Sequence, residues 1–271
     1  MTDTTLTAPT VAGVAGRSVR AATPIPTTRL VAVELRKMFD TRAGFWLVAG
    51  IGIVSLLATA AVLVFAPRAE LTYETFASAI GAPMSILLPV VAILALTSEW
   101  SQRSGLTTFT LVPHRGRVIA AKAVAVLGVA VASMLLAAAV GALGNVVGTA
   151  IAGVDTTWNV SLAEFGQIVL ANVIGMGIGF MLAVLLRSSA GAIVGYFVYT
   201  ALLPTISSAL ASTQDWWRDN GAWIDVNYAT SALYSDSMTG EQWAQLGVTT
   251  LVWLWIPLAL GLRAVLRAEV K

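Results

Sequence analysis

The sequence predicts an all-α integral membrane protein with six spans and an amphipathic helix ahead of the first. Three observations predict it: too few charges for a water-facing surface, six uncharged runs of membrane length, and a lopsided placement of the basic residues. Of 271 residues, 57% are hydrophobic and 11% are charged, whereas ordinary soluble domains carry roughly 25% charged residues. With 16 basic and 14 acidic side chains, a soluble fold would leave broad apolar patches in water, which monomers rarely tolerate.

A bilayer core about 30 Å thick needs about 20 apolar helical residues. Six runs meet that length without Asp, Glu, Lys, Arg or His: residues 45–65, 76–98, 123–151, 166–186, 192–212 and 243–262. The third is longer than a membrane requires, so one end projects or the helix tilts. If both termini face the cytoplasm, 14 of the 16 basic residues lie on the inner side and only Arg68 and Arg218 outside, whereas nine of the 14 acids lie outside. This asymmetry sets the expected topology, places the chain in the plasma (inner) membrane, and gives it an inner face suited to anionic lipid headgroups.

The elements follow in order. Residues 1–27 read as a disordered cytoplasmic tail. Over 28–42, Val31, Leu35, Met38 and Phe39 share one helical face and Arg29, Arg36, Lys37 and Asp40 the opposite one, the pattern of an amphipathic helix on the inner leaflet. The alternative is a cytoplasmic extension of the first span. The remainder, 43–271, is the six-span unit. Ser161 with Glu164 and Thr239 with Gln242 read as capping boxes that open the fourth and sixth helices. Trp46, Trp100, Trp158 and Trp243 fall near span ends, where indoles anchor. Gly144 with Gly148 and Gly175 with Gly179 repeat at the four-residue interval that permits close helix approach. Pro89, Pro204 and Pro257 remove backbone donors within spans. The outer loop 213–242 is aromatic, with Trp216, Trp217 and Trp223; it reads equally as a re-entrant segment or as a cap.

The chemistry is defined mainly by exclusion. Zero cysteines and one histidine, His114, leave no thiolate or histidine-rich metal site. No GxSxG elbow, HExxH pair, paired intramembrane acids or Walker A loop occurs, so no catalytic residue, metal or bound cofactor is expected of this chain, and no nucleic-acid partner. Asp215, Asp219, Asp225 and Asp236 read as solvated loop acids. Without an ionisable group in the spans there is no relay for a proton or sodium gradient, and the driving force is expected from a partner. Asn145, Asn172, Trp216, Trp217 and Trp223 are the candidate cargo contacts. Two other classes remain open: a gradient-driven transporter or channel using Ser, Thr and Asn, and a membrane assembly or immunity protein that moves nothing.

The inner loop 99–122 carries Glu99, Arg103, Gly105, Leu106, Phe109, Leu111, Pro113, Arg115 and Lys122. It resembles the intracellular loop of type-2 ATP-binding-cassette exporter permeases. Glu34, Arg36, Lys37 and Phe39 look like the same family's elbow helix. The resemblance implies the membrane subunit of an ATP-driven exporter of a hydrophobic or amphiphilic substrate, paired with a second permease copy or homologue and with ATPase subunits that bind ATP and Mg. It also implies a coupling helix over 106–111, braced by Glu99 and Arg103. That pair, four residues apart with Glu first, has the favourable helical order. Thr107, Thr108 and Thr110 depart from a strong helix former. Arg115, Arg117 and Lys122 read equally as ATPase contacts or headgroup contacts.

Overall fold

The computed structural model describes residues 25–40, 42–101, 115–235 and 237–267. Among them the regular structure is helical, and six helices are long and apolar enough to cross a membrane, as a multi-pass membrane protein requires. A separate first helix, α1 (Thr27–Asp40), precedes α2 (Arg42–Phe65), α3 (Tyr73–Ser101), α4 (Arg115–Ala152), α5 (Leu162–Leu186) and α6 (Ser189–Thr213). Two short helices follow, α7 (Asp215–Asn220) and α8 (Val226–Ser231), then α9 (Gly240–Thr250) and α10 (Ile256–Arg267). Residues Leu251–Trp255 join the last two as a widened π turn.

Proline explains that turn. Pro257 has no N–H to give to the carbonyl four residues earlier, and Ile256 N–H reaches back to the Leu251 carbonyl instead, which converts the strain into a π bulge. The sixth crossing is therefore one bent rod, 240–267, longer than the uncharged run 243–262.

At the centre stands α3, packed against α2, α4, α5 and α6. Phe76, Ile80, Met84, Leu88, Ala92 and Leu96, four residues apart, are each at most 1% exposed, so a single α3 stripe forms the spine of the core. Glycine lets α4 approach it: a Cβ on Gly144 would lie 2.6 Å from Thr59 Cγ2 and 2.9 Å from the Phe76 ring, and one on Gly148 would lie 2.7 Å from Leu63 Cδ2. Gly179 of α5 likewise sits 2.9 Å, by the same measure, from the Pro89 carbonyl oxygen. Close helix packing is thus what Gly144, Gly148 and Gly179 do, whereas a Cβ on Gly175 would meet only ordinary contacts, the nearest 3.4 Å away.

Both capping boxes form as the sequence predicts, with Ser161 and Glu164 opening α5 and Thr239 and Gln242 opening α9. Trp46, Trp158 and Trp243 are exposed near helix ends. One boundary differs from the sequence reading. The 38 residues of α4 begin at Arg115, because Arg117 and Lys122 end an apolar run without ending a helix; the rod is about 57 Å long. Its charged first turns lie beside α1, where Arg117 donates to the Ile25 carbonyl at 2.6 Å.

The α1 helix spans Thr27–Asp40 and packs along α4 and α2. Its one buried residue is Glu34. Met38 packs against the main core, while Phe39, placed by the sequence on the apolar face, is exposed.

Candidate functional site

Two places in the bundle concentrate polar side chains against its apolar interior, one at each end. At the end that holds α1, the Glu34 carboxylate lies 2.6 Å from Lys122 Nζ and 2.7 Å from Lys37 Nζ. Both Glu34 and Lys122 are almost wholly buried, and the Lys122 ammonium also donates to the Ala95 carbonyl at 3.3 Å. This cluster ties α1, α3 and α4 together across 88 residues of sequence. Burial strengthens such a pair only because each oxygen and ammonium finds a partner.

At the opposite end lies a cavity of about 800 Å³, within the range that holds a drug-sized ligand. Its walls are Ser85 and Ile86 of α3, Ala171, Asn172, Ile174 and Gly175 of α5, and the stretch of α6 from Tyr196 to Ala211. Asp225, Asn227, Tyr228, Thr230, Ser231 and Tyr234 roof it. Ile86 and Phe197, 42% and 44% exposed, stand where it meets the outside of the bundle.

The roof is a folded cap, built from α7, α8 and the turns between them, and packed on α5, α6 and α9. Its struts are side-chain hydrogen bonds. Trp253 Nε1 donates to the Ile224 carbonyl at 2.7 Å, and Trp217 Nε1 to Ser207 Oγ at 3.0 Å. Gln167, its amide nitrogen turned inward, donates to the Leu233 and Ser235 carbonyls. Gly221 admits the rings of Trp217 and Tyr228, since a Cβ there would come within 2.9 Å of both.

Tyr196 holds the wall through a carbonyl that proline left free. Pro89 cannot bond the Ser85 carbonyl four residues back, and Tyr196 Oη donates to that oxygen at 2.9 Å. Tyr196 and Tyr199 stack obliquely, ring centroids 6.0 Å apart. In Asn172, Nδ2 donates to the Ile168 carbonyl at 2.9 Å, and the buried Oδ1 has no partner. Asn227 Nδ2 is likewise buried and unpartnered. Such groups cost free energy unless something completes them.

Asp225 corrects its reading as a solvated loop acid: it is 6% exposed, and one carboxylate oxygen accepts from Asn227 N at 2.8 Å, capping α8. Aspartate is a favoured helix N-cap, so the cap on α8 was open to a local reading, but the burial depends on residues distant in the chain.

Of the sequence-predicted cargo contacts, Asn172 lines the cavity. Asn145, Trp216, Trp217 and Trp223 are not among its lining residues. Asn145 is fully buried and its Nδ2 holds the Thr157 carbonyl at 2.9 Å, fastening the turn that leads to α5. Trp217 braces the wall from behind through Ser207, Trp216 is exposed, and Trp223 is partly so. In the α1 cluster, Glu34, Lys37 and Lys122 come together, while Arg36 pairs with Asp40 at 3.1 Å on the surface. Arg103, Gly105, Leu106, Phe109, Leu111 and Pro113 lie outside the described residues, as do the side chains of Glu99 and Arg115 at the ends of α3 and α4. Among the described residues, no group of three or more His, Cys, Asp or Glu gathers as a metal site would need.

Comparison with models of known protein families and with curated proteins finds no match to this chain.

Proposed function

We propose that this chain is the transmembrane permease subunit of an ATP-driven exporter of a hydrophobic or amphiphilic substrate. It works with a separate ATP-binding subunit, which holds ATP and Mg, and with a second permease copy or homologue, and it sits in the plasma (inner) membrane with both termini in the cytoplasm. The observation that carries the reading is the separation of two polar centres. An ion-paired cluster locks α1 to the first turns of α4, and a ligand-sized cavity, walled by α3, α5 and α6, lies toward the other end of the bundle.

That separation suits a machine driven from one end. The charged residues buried in the described structure are Glu34, Lys122 and Asp225, at the two extremes. Buried polar side chains such as Ser55, Thr59 and Ser133 lie between them, and these neither gain nor lose protons at neutral pH. A gradient therefore has no relay through the bundle. Force delivered to the 99–122 segment reaches α3 and α4 directly, and Glu34 and Lys122 oblige α1 to move with them. The α6 crossing, only 11% buried over its most apolar window, offers its remaining surface to lipid or to the second permease.

The test is capture of the ATPase. The reading expects a Walker-motif ATPase encoded in an adjacent reading frame to co-purify with this chain. Combining Glu99→Ala with Arg103→Ala is expected to reduce captured ATPase activity by about tenfold, the loss typical of hot-spot contacts. Capture and hydrolysis equal to wild type would count against the 99–122 segment as the coupling element.

A further inference from the structure

The cavity's own chemistry narrows what it holds. Its one charged lining residue among those described is Asp225. One of that carboxylate's oxygens is spent on the α8 cap, and no hydrogen bond or ion pair of the described residues engages the other. Arg218, the basic residue of the cap, is committed elsewhere: it donates to the Ala211 carbonyl and pairs with Asp215 at 3.0 Å. A carboxylate left buried in an apolar wall is costly unless a cation meets it. Asn172 Oδ1 adds a second unpartnered acceptor to the same walls. The tyrosine faces of Tyr196, Tyr199 and Tyr228 supply surfaces that attract a cation.

We infer that the cavity binds an amphiphile carrying a protonated amine, its ammonium against Asp225 and its apolar body along α5 and α6. Resting on the export reading, this assigns the cargo class. An anionic amphiphile finds no basic lining residue among those described, and a bare metal ion is far too small for about 800 Å³ with one carboxylate.

The experiment uses the full chain in lipid nanodiscs, with rhodamine 6G as a fluorescent cationic probe read by anisotropy. Asp225→Asn keeps an oxygen for the α8 cap, since asparagine caps as well as aspartate, but removes the charge. It is expected to weaken rhodamine 6G binding by about tenfold, a modest share of what losing one partner of a buried charge pair costs. Asp155→Asn, an exposed acid in the α4 to α5 turn, is expected to bind as wild type does. On the unaltered chain, dodecylamine should displace the probe at far lower concentration than dodecanol. Wild-type affinity in Asp225→Asn, equal weakening by Asp155→Asn, or dodecanol competing as well as dodecylamine would each overturn the inference. Binding needs no ATPase, so its failure is separable from failure of ATPase capture.

Discussion

Replacing Glu34 by glutamine is expected to destabilise the detergent-solubilised protein by about 3 kcal/mol, the loss that follows when one member of a buried ion pair is removed. The reason is the asymmetry of the cluster. Glutamine leaves the Lys122 ammonium, 3% exposed, with the Ala95 carbonyl but without the carboxylate 2.6 Å away. Lys122→Met is expected to cost less, because Glu34 keeps Lys37 at 2.7 Å. Pairing Glu34→Leu with Lys122→Met is expected to recover much of the loss, since a well-packed apolar pair often replaces a buried ionic one without penalty. Arg36→Ala, which breaks only the exposed pair with Asp40, is expected to stay within about 0.5 kcal/mol of wild type. Thermal unfolding of the four variants checks the series, and equal losses for Glu34→Gln and Arg36→Ala would contradict the buried cluster.

Alanine at Gly179 or at Gly144 is expected to cost about 1–3 kcal/mol each, as overpacking does in a filled core. At Gly179 the obstacle is the Pro89 carbonyl, 2.9 Å from the new Cβ, and main chain cannot rotate aside. At Gly144 it is the Thr59 methyl at 2.6 Å and the Phe76 ring at 2.9 Å, both buried. The two sites share no partner, so their losses should add. Gly128→Ala is the internal control: it lies on α4 as Gly144 does, but nothing stands within 4 Å of its Cβ. Its stability is expected at or slightly above wild type, because alanine restricts the unfolded chain. Helix propensity favours alanine over glycine at both positions, so a loss at Gly128 as large as at Gly144 would contradict steric contact as the source of these costs.

What the sequence made legible was local. Six crossings follow from uncharged runs, and both capping boxes follow from residues three apart, so neither depends on the rest of the fold. The close helix approach at Gly144 and Gly179 follows from a four-residue spacing. What stayed hidden required partners distant in the chain. Glu34 and Lys122 were each legible as charges of an inner segment, yet their pairing spans 88 residues. Asn145 and Asn172 are the same residue type in similar apolar runs; one meets a carbonyl across a turn, and the other lines a cavity. Asp225 looked like any outer-loop acid because burial there is imposed by a cap whose struts, Trp217, Gln167 and Trp253, come from three different helices.

On the proposed function, force reaches this bundle from a separate ATPase and not from an ion gradient. The most direct test reconstitutes the chain into proteoliposomes, alone under an imposed proton or sodium gradient, and with the ATPase partner and Mg-ATP, following rhodamine 6G movement. Movement is expected only with the ATPase and ATP. Gradient-driven movement by the chain alone would contradict it.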